Sequence, residues 1–174
     1  MPETAAEQVE VVLTRDFAAP RPLVFKVFTE SDHLARWWGP KGLTMRTLRV
    51  DLRPGGLFHY RMTAPSGSEM WGKFVYREIA PPERLSFVNS FSDADGNTTR
   101  HPLSAAWPLE VLTTVIFAER DATSTTLTLR GYPINASDTE IATFQAGHAS
   151  MRGGFQGTFE QLDAYLAELQ QGAA

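Results

Sequence analysis

Apolar and polar residues alternate from the ninth residue onward. Val9, Val11 and Leu13 interleave with Glu10, Val12 and Thr14, and the run is β-branched, which predicts a first strand over residues 8–18. Pro20 and Pro22 then open a short helix, since proline is tolerated in a first helical turn where its missing N–H would have no partner. Val24, Phe25, Val27 and Phe28 supply the buried side of that helix. Ser31 caps a second short helix over Asp32–Trp38, and Gly39-Pro40 stops it.

Strand signals then dominate. Thr44–Leu52 ends at the turn Pro54-Gly55-Gly56. Leu57–Ala64 and Ser68–Ile79 form a hairpin across Pro65-Ser66-Gly67. Pro81-Pro82 turns the chain into a strand over Arg84–Ser92, followed by a polar loop at Asp93–Thr99 and an irregular segment at Arg100–Pro108. Glu110–Glu119 and Thr125–Tyr132 make a further hairpin. The last segment changes period. Ser137 and Glu140 have capping-box spacing. Phe144, His148, Met151, Phe155, Phe159, Leu162, Leu166 and Leu169 then follow in steps of three and four, which places them on one helical face. Gly147, Gly153, Gly154 and Gly157 interrupt this pattern and predict close approach to the sheet or a bend near Gly153-Gly154.

The order β-α-α-β-β-β-β-β-β-α predicts an α+β fold. A curved antiparallel sheet of about six or seven strands must cover its apolar face, and only the long C-terminal α-helix can do so. The expected organisation is a disordered tail over residues 1–7 and one domain over residues 8–171. Composition adds exclusions. The chain has 174 residues, 43% hydrophobic and 21% charged, as in an ordinary globular protein. A net charge of −4 with scattered Lys and Arg disfavours nucleic acid as a partner. The absence of cysteine removes disulfides and thiolate zinc sites and fits a reducing, cytoplasmic location. No apolar run approaches the ~20 residues of a membrane span, and the polar, acidic N-terminus is unlike a signal peptide.

Three stretches carry a resemblance: Trp37-Trp38-Gly39-Pro40, Asp51–Gly56 and Tyr76–Leu85. In this order they resemble the START/Bet v I-like helix-grip (SRPBCC) superfamily, in the branch homologous to the C-terminal domain of the activator of heat-shock-protein-90 ATPase. The resemblance runs from about Val9 to Leu169. It implies a sheet gripping the last helix around a ligand-holding cavity, with the ligand unspecified. Two departures stand out: Gly154-Phe155 where many members have Gly-Trp, and Arg100–Pro108, which resembles an insertion able to reshape the cavity mouth.

Strand alternation assigns candidate cavity residues. Phe58, Tyr60 and Met62 share one face, as do Phe74 and Tyr76, then Phe87, Asn89 and Phe91, then Thr113, Val115 and Phe117. Trp37, Trp38 and Trp71 either rim the cavity or pack under loops, and His148, Met151 and Phe155 lie on the helix. Aromatic walls with a few polar tips suit a small-molecule cavity, and they suit a filled core with satisfied tips equally well in kind. His148 is read as a core or pocket-wall histidine, with ligand orientation as the alternative. His33, His59 and His101 lie far from it in sequence, so no metal site and no cofactor is expected. Ser137 and Ser150 lack the Gly-x-Ser-x-Gly setting of a hydrolase. Glu83 and Arg84 read as solvated turn charges, with Glu78 and Glu83 as acid and base the alternative, Asp51 and Arg53 as ties of the glycine turn, and Trp107 as an exposed contact.

Three functions fit these residues. The first is binding, without turnover, of a hydrophobic or amphipathic small molecule by a monomer or homodimer. The second is a cyclase- or aromatase-like enzyme moving protons with Tyr60, Tyr76, Asn89 or His148. The third is a chaperone-activator-like interaction module.

Overall fold

A computed structural model describes residues 9–172; the tail expected over residues 1–7 lies outside the described residues. Strand β1 covers Val11–Phe17, helix α1 Arg21–Thr29 and helix α2 Ser31–Trp37. Six strands follow at Thr44–Val50 (β2), Leu57–Thr63 (β3), Glu69–Ala80 (β4), Arg84–Ser92 (β5), Thr98–Thr99 (β6) and Val111–Asp121 (β7). Strand β8 is Ser124–Pro133, and helices α3 and α4 are Asp138–Ala146 and His148–Gly172. The sheet is antiparallel in the order β1-β8-β7-β5-β4-β3-β2, with the two-residue β6 on β5. The expected α+β grip is therefore present, with β6 arising at the end of the polar loop expected over Asp93–Thr99.

The glycine turn and the proline turn have concrete jobs. Gly55 takes φ +81°, and a Cβ on Gly56 would lie 1.9 Å from the Asp51 carbonyl oxygen, so both positions require glycine. The turn is pinned to β4: the Gly55 N–H donates to the Tyr76 carbonyl at 2.7 Å and the Tyr76 N–H to the Gly56 carbonyl at 2.9 Å. Arg53 Nε donates to the Asp51 carboxylate at 2.7 Å, as expected for residues fixing this turn. At the other end of β4, the Glu83 N–H donates to the Ala80 carbonyl at 2.8 Å, and the Pro81-Pro82 bond within that turn is cis. Arg84 reaches back to Glu78 at 3.0 Å.

The core lies between the concave face of the sheet and α1, α2 and the second half of α4. Phe17, Phe28, Trp37, Phe58, Phe74, Tyr76, Phe87 and Phe117 are all fully buried there. Each such side chain contributes about 1.5–3 kcal/mol relative to exposure. Trp37 ends α2 and donates its indole N–H to the Val27 carbonyl at 3.0 Å, tying the two short helices together.

The C-terminal helix departs from expectation. The capping box forms as the spacing predicts, with Ser137 Oγ accepting from the Glu140 N–H and the Glu140 carboxylate accepting from the Ser137 N–H. The helix then breaks at Gly147, not near Gly153-Gly154. Trp107 packs close at this point: a Cβ on Gly147 would meet the indole at 3.0 Å. Gly153 and Gly154 lie inside α4 with open space beside them.

Candidate functional site

The first and second halves of α4 meet the sheet differently. Thr158, Phe159, Leu162, Tyr165 and Leu166 are its buried residues, all in the second half. From His148 to Gly157 no residue is buried, yet Met151 and Phe155 continue the apolar stripe and are half-buried. The first half runs from the start of β1, where His148 Nε2–H donates to the Val9 carbonyl at 2.9 Å, to Trp38, whose ring lies 6.1 Å from Phe155. On the sheet beneath, the concave-facing Met70, Asn89, Phe91 and Val111 are likewise half-buried. These half-buried side chains face one another between the sheet and the first half of α4.

The sheet face opposite the helix is polar at one point. Tyr60 crosses to its register partner Gly72, where an added Cβ would lie 2.5 Å from the phenol oxygen. The Trp38 and Asn89 side chains lie beside that oxygen. Burial pushes the Tyr60 phenol pKa up, and these two neighbours only partly oppose it. Burial also raises the Tyr76 pKa strongly, and its hydroxyl is buried with no hydrogen-bond partner among the described residues. Both phenols are thus neutral donors at pH 7, unsuited to accept a proton.

A ladder of rings runs from β5 through the Arg100–Pro108 segment to α3 and the start of α4. Phe91 lies 4.5 Å from His101, His101 6.1 Å from Trp107, Trp107 5.4 Å from Phe144, and Phe144 5.5 Å from His148. The insertion-like segment thus packs against α3, and Trp107 is half-buried where an exposed contact was expected. Arg100 bridges to Glu140 and holds the segment there. An open pocket of about 440 Å³ at this junction is lined by Arg100, Ala105, Ala106, Ser137, Thr139 and Glu140. It is separate from the ring-lined interior.

The remaining expected site residues divide clearly. Phe58, Tyr60, Met62, Phe74, Tyr76, Phe87, Thr113, Val115 and Phe117 are buried on the concave face, with Phe74 and Phe87 stacked at 3.9 Å. Trp37 is fully buried core and not rim. Trp71 is on the wrong face. It pairs in register with Arg61 and Ser92, and strand alternation points it out of the convex side, opposite to its neighbours Gly72 and Phe74. Trp38, read as a rim or packing residue, lies beside Phe74 and Phe155, and Met70 was missed. Met70 has the parity of Phe74, two strand steps away, so alternation alone could have found it. The four histidines occupy separate places: His33 on Tyr165 at 2.5 Å, His59 on the Asp93 carbonyl at 3.1 Å, His101 in the ladder and His148 on β1.

The match to a family is equally extensive. The family model for the activator of Hsp90 ATPase homolog 1-like protein covers residues 18–167. The chain belongs to this family. Among solved structures, protein Ms6760 from Mycobacterium smegmatis is 26% identical with a TM-score of 0.71, and the match covers 90% of each chain. A protein from Arthrobacter aurescens is 24% identical with a TM-score of 0.77, covering 95% of this chain and 90% of that one. Protein NE0264 from Nitrosomonas europaea, at 22% identity and a TM-score of 0.73, covers 97% and 99%. These last two share the fold. No curated protein matches the chain. The activator-like family fold is compatible with a small-molecule or a protein partner, and no helix among the described residues is long and apolar enough to cross a membrane.

Proposed function

We propose that this member of the activator-like family is a cytoplasmic small-molecule binding protein, with residues 8–171 acting as one ligand-holding domain and no cofactor. The ligand is hydrophobic or amphipathic and sits between the sheet and the first half of α4. The observation that carries this reading is the ten-residue stretch His148–Gly157, which has no buried residue although Met151 and Phe155 lie on the apolar stripe. Half-buried apolar side chains facing each other across a polar floor are what a ligand covers. Phe91, Val111, Met151 and Phe155 supply the apolar contacts, and Asn89 with Tyr60 supplies the polar one.

Anilinonaphthalene sulfonate, an amphipathic dye, tests this with the folded protein. It is expected to bind saturably at one site with a negative heat-capacity change. Met151→Trp fills the cleft and is expected to abolish that binding with the thermal transition intact. Undiminished binding to Met151→Trp, or no binding to the natural chain, would overturn the reading.

A further inference from the structure

The convex side of the sheet ends in a different kind of surface. β2 is the terminal strand and pairs only with β3, so its other backbone edge is unpaired within the sheet. Leu48, Val50 and Leu52 along this edge are 42%, 41% and 41% exposed. A β-bulge between Thr47 and Arg49 shifts the register at Leu48. Its consequence is chemical: Arg46 and Arg49, three apart in sequence, both reach the convex face, opposite Arg61 and His59.

Two cross-strand rows result. One runs Arg46–Arg61–Trp71–Ser92 and the other Arg49–His59–Lys73–Ser90. The local acids answer only some of this charge. Glu69 stands 3.7 Å from Arg61, and Asp51 pairs with Arg53. Asp93 turns its carboxylate onto the Asn97 and Asp95 backbone, and Asp95 is exposed in the same loop. Lys73 donates to the Gly96 carbonyl, which leaves its charge in place. Arg46 and Arg49 have no ion-pair partner among the described residues, and Arg61 Nε is buried without a hydrogen bond.

We propose that β2 is a docking edge for an extended acidic segment of another protein, which adds to the sheet as a further strand. The three features fit one occupant. The unpaired backbone edge takes its main chain, Arg46 and Arg49 take carboxylates at alternate positions, and Leu48 and Val50 take the apolar residues between. A second copy of this chain fits poorly, because it would bring a second arginine-bearing edge against the first. This surface is distinct from the α4 cleft, so it stands or falls independently of the small-molecule reading.

The probe is a fluorescein-labelled octapeptide alternating glutamate and valine, with a lysine–valine octapeptide as control. Saturable binding of the acidic peptide alone is expected, with slowed hydrogen exchange at the amides of residues 44–50. The charge reversals Arg46→Glu and Arg49→Glu together are expected to weaken it at least tenfold. Both side chains are exposed, so an unchanged thermal transition confirms that the variant folds. Anilinonaphthalene sulfonate binding should be unaffected. Failure to bind, protection elsewhere than β2, tighter binding of a single-stranded oligonucleotide, or self-association through β2 would each overturn the proposal.

Discussion

Along one helix, α4, the interior changes character. In the second half, Phe159 is 3% exposed and meets Phe17 edge-on at 5.7 Å, while Leu162 and Leu166 complete a filled core. Flanking charges clamp this half: Arg15 to Asp163 at 2.5 Å and Arg36 to Glu168 at 3.2 Å. In the first half, one turn earlier, Phe155 carries the same ring and is only half-buried. The same apolar stripe therefore serves two purposes. A stripe records which face turns inward, and what fills the space opposite is decided by the partner elements. Phe17 of β1 packs on Phe159, and α2 covers the helix further on at Tyr165 and Glu168, whereas Phe155 meets Trp38 at the longer distance of 6.1 Å.

The largest expected effect tests that contrast directly. Phe159→Ala should cost about 3–5 kcal/mol in chemical denaturation, as for a buried aromatic replaced by alanine. Phe155→Ala should cost about 1–2 kcal/mol, because less apolar area leaves the protein interior. Equal costs would erase the distinction between the two halves.

The floor of the open half is the next target. Gly72→Ala drives a methyl into the Tyr60 ring, which must leave its place over the neighbouring strand. We expect a loss of about 1–3 kcal/mol from overpacking. Dye affinity should fall as well, since Tyr60 then parts from Trp38 and Asn89. Lost stability with unchanged affinity would detach the floor from binding.

Much of this was legible in the sequence, and the residues show why. The capping box at Ser137 and Glu140, the glycine turn at Gly55-Gly56 and the strand alternation of Phe58, Tyr60 and Met62 are local rules, satisfied within a few residues. Trp71 was misplaced because a large aromatic was assigned by type, although its odd position beside Phe74 puts it on the other face. The helix break was misplaced because glycine density points to Gly153-Gly154, whereas the glycine with a close neighbour is Gly147, and that neighbour, Trp107, lies forty residues earlier in the chain. Whether concave-face aromatics fill a core or line a cleft depends on the elements packed opposite, which no local pattern encodes.

Two smaller effects concern the ring ladder at α3. Ser137→Ala removes one half of the capping box and should cost about 1 kcal/mol, measured by thermal denaturation. A cost near zero would mean that α3 is held by Trp107 and Arg100 alone. The last is a pH effect. Burial lowers the His101 pKa from its ordinary 6.5, so the unfolded chain takes up this proton first as pH falls. Its stability contribution is present above about pH 6.5 and is lost as pH falls through the lower folded value. Glu140 acts in the same direction at more acidic pH, because the Ser137 backbone N–H and then Arg100 hold its carboxyl below 4.5. The Trp107 indole resonance should shift over the first of these windows, and His101→Asn should remove that shift. A shift that persists in His101→Asn would assign the titration elsewhere.

The pairing of β1 with β8 has a consequence for synthesis. Val11 meets Gly131, and Arg15 reaches Asp163, so the first strand finds its neighbours only after most of the chain exists. Closing so long a loop is entropically costly and slows folding. On the ribosome, β2 to β5 can pair through their short turns as they emerge, while Val11, Leu13 and Phe17 wait with an unmatched edge. That nascent strand is the part of the molecule most in need of shielding, and the last helix is the part whose arrival ends the need.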